Sequence, residues 1–64
     1  MIVTGWQNID ELVSWCTEHV GPFIWTNSLT DWIGHGWTIS RVSQGFEVNI
    51  IDEKLLLMGM LRWG

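Results

Sequence analysis

The sequence predicts a small two-layer α+β domain: a three-stranded antiparallel sheet with an N-terminal and a C-terminal helix on one face. Three observations predict it. Residues 8–20 carry a helix start signal, a helical period and a stop signal in agreement. Residues 37–51 alternate apolar and polar side chains about a Ser-Gln-Gly turn, as a one-sided hairpin does. The stretch DEKLLLMGMLRW joins an acidic cap to strong helix formers. With 64 residues, no internal repeat and no linker composition, residues 1–64 read as a single domain.

Met1 to Thr4 is short and β-prone, and fits either an added strand or a frayed terminus. The first helix is better marked. Asn8 stands at the N-cap with Glu11 three residues on, and Asp10 and Glu11 suit the positive end of the helix dipole. Ile9, Leu12, Val13, Cys16 and Val20 define its apolar face. Gly21 reads as a left-handed terminator and Pro22 blocks continuation. Residues 23–26, Phe-Ile-Trp-Thr, predict a short strand. Residues 27–36 are dense in turn formers and predict a loop, with a helical turn starting at Ser28 or Thr30 as an option.

Side-chain parity settles the hairpin. An odd loop would mix Thr38 and Ser40 with the apolar residues. An even loop of two or four residues instead groups Trp37, Ile39, Phe46, Val48 and Ile50 on one face, and is therefore predicted, with strands over 37–43 and 46–51. The opposite face is mostly polar. For residues 52–62, propensity and the Asp52 cap favour a helix over a third hairpin strand, although Gly59 opposes it. Such a helix is apolar nearly all round, so one face covers the sheet and a second needs another partner.

Six Trp and two Phe exceed what so small a core encloses easily. Cys16 is the single cysteine, so neither an intrachain disulfide nor a paired-cysteine zinc site can staple the fold. We therefore expect a homo-oligomer, with Leu56, Met58, Met60 and Trp63 at the interface. Net charge is −4 and the permanent cations are Arg41, Lys54 and Arg62, which argues against a nucleic-acid polymer as partner. No apolar run approaches the ~20 residues of a membrane span, and a free thiol without an export signal suits the cytoplasm.

Several pairs could carry chemistry. Cys16 and His19 could act as nucleophile and base, and Asp31 and His35 as an orienting pair, with Ser28, Thr30 and Ser43 as hydroxyl partners. Burial of the thiol, dipole compensation and turn capping explain these residues more simply. Asp10/Glu11 and Asp52/Glu53 are explained as helix starts, and Cys16, His19 and His35 lack metal-ligand spacing. No catalytic residue, metal or cofactor is expected. The residues expected to bind a ligand or partner are Trp25, Trp32, His35, Trp37, Arg41 and Arg62, because Trp dominates binding hot spots and arginine grips phosphate and carboxylate.

The capped helix containing LVSWC, the Gly-Trp strand and the ending IIDEKLLLMGMLRWG together resemble small uncharacterised phage-encoded proteins. Those end in a strand, an acidic cap, a Leu-rich helix and L-x-W-G; Asp52, Leu56, Leu57, Leu61, Trp63 and Gly64 correspond here. Met58 and Gly59 stand where an aromatic is more usual. The resemblance implies a helical C-terminus, a phage-type origin and the host cytoplasm as the place of action. The expected function is a non-enzymatic accessory protein that binds a host enzyme or defence component and neutralises it by steric occlusion. The alternative is an oligomeric sponge that sequesters a nucleotide-type signal between Trp faces and arginines.

Overall fold

The computed structural model describes residues 1–5, 9–27 and 30–63. Its elements run β1 (Ile2–Thr4), α1 (Ile9–His19), β2 (Phe23–Thr26), β3 (Asp31–Gly34), β4 (Trp37–Val42), β5 (Gly45–Ile50) and α2 (Glu53–Trp63). The strands form one antiparallel sheet in the order β1-β5-β4-β3-β2. The α+β class and both helices agree with the sequence, but the sheet has five strands rather than three.

The β4–β5 hairpin carries the core. Val42 stands opposite Gly45, so the loop is the two residues Ser43 and Gln44, even as parity requires. Gly45 has φ +144°, and a Cβ there would strike the Val3 carbonyl of the neighbouring strand. Trp37, Ile39, Phe46, Val48 and Ile50 are all buried, together with Val3, Leu12 and Cys16. Leu55, Leu56 and Trp63 of α2 and Ile9, Val13 and Trp15 of α1 pack against that cluster, so both helices lie over one sheet face.

Each extra strand has a physical cause. The N-terminal segment is an added strand: Val3 enters the core opposite Phe46, Val48 N–H donates to the Met1 carbonyl at 2.7 Å, and the Met1 ammonium donates to the Val48 carbonyl at 2.8 Å. Residues 31–34 correct the predicted loop. Asp31 favours turns because its carboxylate competes for nearby backbone donors. Here that carboxylate accepts from the Ser40 hydroxyl at 3.0 Å and the Thr30 hydroxyl at 2.9 Å, leaving the backbone to the sheet. Gly34 reads as a turn glycine, but the Trp37 indole lies where a Cβ at position 34 would sit. The reversal at His35–Gly36 remains a turn, with Gly36 at φ +84°. Thr30 is a bend, while Ser28 and the Asn8 cap lie outside the described residues.

The helix ends follow local chemistry. The Cys16 carbonyl accepts from both Val20 and Gly21 N–H, at 2.9 and 3.1 Å, closing α1. Gly21 is not left-handed, a second correction: it is small because a Cβ would meet the His35 carbonyl. At α2, Asp52 Oδ1 accepts from Lys54 N–H at 2.9 Å, as an N-cap should. Gly59 is buried against Met1 and Trp15. Trp15 and Trp63 then meet edge to face at 5.6 Å.

Candidate binding surfaces

The second sheet face carries no helix. Register and parity place two rows across it: Ile2, Glu47, Ser40 and Asp31, and beside them Asn49, Thr38, Ile33 and Trp25. The Ser40–Asp31 hydrogen bond lies within the first row. No lysine, arginine or histidine has a register position in either row, so Asp31 and Glu47 make this face acidic. The second row ends on β2, an edge strand with a bulge between Phe23 and Trp25. Phe23, Ile24 and Trp25 are all exposed there, Ile24 at 62% and Trp25 at 53%. Three consecutive large apolar side chains at an edge, beside hydroxyls and carboxylates, give the layout of a binding hot spot: an aromatic anchor with a polar rim.

The structure does not gather the six residues expected to bind a ligand. Trp37 is 2% exposed, and its indole N–H donates to the Gly21 carbonyl at 2.8 Å, so it is a core residue. Trp32 is half-buried on the covered face and meets Phe46 edge to face at 5.7 Å. His35 is exposed in the β3–β4 turn, and Arg41 is exposed at the end of the covered face. Arg62 lies over the Trp63 ring at 4.9 Å, beside a groove that Glu11, Glu18, Trp15 and His19 also line. Trp25 alone of the six belongs to the open face. Of the expected interface residues, Met58 and Met60 are exposed on α2, whereas Leu56 and Trp63 turn inward to the core.

No family model, curated protein or solved structure matches this chain.

The residue pairs considered for catalysis are not assembled. Asp31 and His35 lie at opposite ends of β3, a span of roughly 13 Å at strand rise. The His19 ring packs against Trp15 at 5.0 Å, while Cys16 points into the core. Among the described residues no group of three or more His, Cys, Asp or Glu could hold a metal ion, and no helix is long and apolar enough to cross a membrane.

Cys16 is wholly buried, and desolvation pushes its thiol up to about 11. The folded state therefore prefers the neutral thiol. The resulting stability is intact below the unfolded-state value near 9 and is lost as pH rises toward 11. We predict a fall on the order of 3 kcal/mol across that window, from about 1.4 kcal/mol per unit. Urea unfolding at stepped alkaline pH measures it, and Cys16→Ala should flatten the slope. An equal slope in both proteins would assign the loss to other groups.

The sequence located the polar parity of β4 and β5 but not the open face as a surface. Asp31 and Ile33 join it only once β3 is a strand, and no pattern in residues 27–36 announces that.

Proposed function

We propose that the protein is a non-enzymatic binding protein whose open sheet face docks on a basic surface of a target protein and occludes it. The observation that carries this reading is the exposed edge Phe23–Ile24–Trp25 running into an acidic face with no cation in register. Trp25 and Ile33 supply the apolar anchor; Asp31 and Glu47 select a positively charged counterpart and repel acidic ones. The resemblance of the C-terminal unit to small phage proteins supports a host enzyme or defence component as that target. The nucleotide-sponge alternative gains nothing from the monomer. Trp37 is sealed, and the groove beside Arg62 carries two glutamates that repel phosphate.

Immobilised full-length chain, challenged with host lysate, should retain a protein that high salt releases. Trp25→Ala should weaken that binding by about 30-fold or more, the ~2 kcal/mol of a hot spot. Glu47→Lys should weaken it as well, and the free chain should inhibit the captured protein at stoichiometric ratio. Retention that neither substitution changes would remove the open face from function. A Trp fluorescence response to a nucleotide, abolished by Arg41→Ala, would favour the sponge instead.

A further inference from the structure

A different surface, on the helix-covered side of the sheet, also exposes apolar side chains. Leu57 and Leu61, one turn apart on α2, point away from the core with Met58 and Met60 beside them, and Leu61 is 89% exposed. Leu55, Leu56, Gly59 and Trp63 take the inward face of the same helix. α2 is therefore apolar on two sides and covered on one.

Charge narrows what covers the other. Asp52 and Glu53 balance Lys54 and Arg62, so residues 52–63 are neutral and the net charge of −4 lies wholly outside them. Two copies meeting on the open sheet face bring Asp31 and Glu47 of each together; two copies meeting on α2 do not. We propose that this face docks on the same face of a second copy, with the two α2 helices antiparallel about a two-fold axis near Leu57 and Met58. Antiparallel pairing sets Lys54 of one copy at the level of Leu61 of the other. Its aliphatic stem covers the leucine, and its ammonium meets the carbonyl end of the opposing helix. Parallel pairing would set Lys54 against Lys54.

The areas decide the strength. The accessible surface of 4198 Å² equals the ~4200 Å² expected of a folded monomer of this mass, so the chain closes its own core before it pairs. The four α2 side chains expose roughly 400 Å² of apolar surface, about half of the ~800 Å² per partner in a standard stable interface. The dimer is therefore expected to be a weak, exchanging one, at the small end of interface sizes.

Sedimentation equilibrium of the full chain from about 1 µM to about 1 mM should show the mass climbing from 7.4 kDa toward twice that value. Leu61→Lys should raise the dissociation constant at least about 10-fold, because one more cation then faces Lys54. Its circular dichroism should stay unchanged, since so exposed a side chain supports no fold. Leu57→Gln provides a second variant with the same expected direction. A wild-type chain that stays monomeric at the highest concentration overturns the proposal, as does a dimer that both substitutions leave intact. For orientation, Lys54→Cys and Leu61→Cys chains are mixed and oxidised. A mixed disulfide is expected, and a predominance of Lys54→Cys linked to itself would overturn the antiparallel arrangement.

Discussion

Trp37→Ala is expected to leave the protein largely unfolded at room temperature. Among the described residues the indole is the largest fully buried side chain, and it packs between the hairpin core and β3. Truncating a buried Trp costs about 3–5 kcal/mol. The Gly21 carbonyl also loses its indole donor at the end of α1, a further loss of about 1 kcal/mol. At a typical 0.05–0.15 kcal/mol per residue, a chain this short has roughly 3–10 kcal/mol in total. Far-ultraviolet circular dichroism and urea titration measure the effect. Trp37→Phe keeps an aromatic ring in the site and should lose only about 1–2 kcal/mol, chiefly the hydrogen bond. A Trp37→Ala midpoint within about 1 kcal/mol of wild type would contradict the assignment of Trp37 to the core.

That assignment shows where the sequence was legible. Parity alone picked out Trp37, Ile39, Phe46, Val48 and Ile50 as one face, because a one-residue slip inverts every side chain and only one choice buries them all. The same residue type at position 37 nevertheless suggested a ligand, since an aromatic's chemistry is identical in a core and in a binding site until burial is known. β3 was hidden for a related reason. Asp31 and Gly34 have local preferences for turns, and what overrides them comes from the facing strand β4: the Ser40 hydroxyl for one and the Trp37 ring for the other. The α2 interface was half legible. The surplus of apolar residues announced two faces, but the phase of the helix follows from Gly59 meeting Trp15 and Met1, which places Leu57 and Leu61 outward and Leu56 and Trp63 inward. The two proposed surfaces thus occupy opposite sides of the sheet, so self-association through α2 leaves the open face available to a target.

Gly34→Ala should destabilise the protein by an amount unusual for one added methyl, about 2–3 kcal/mol, the upper range for overpacking. Elsewhere in a strand, glycine to alanine gains roughly 0.5–1 kcal/mol by lowering the entropy of the unfolded chain. At position 34 the new Cβ would overlap the Trp37 indole, whose ring is held by burial and by its bond to Gly21. Neither neighbour yields easily: β3 is paired on both sides, by β2 and β4, and the indole is buried and tied to the Gly21 carbonyl. The cost is therefore a property of the pair, and a double-mutant cycle exposes it. In a Trp37→Leu background the obstructing atoms are gone, so the same Gly34→Ala change should become neutral or stabilising. Urea midpoints of the four proteins give the coupling, expected at about 2–3 kcal/mol. If Gly34→Ala costs the same in both backgrounds, glycine is required at position 34 for some reason other than the close approach of Trp37, and the account of β3 given by that contact is wrong.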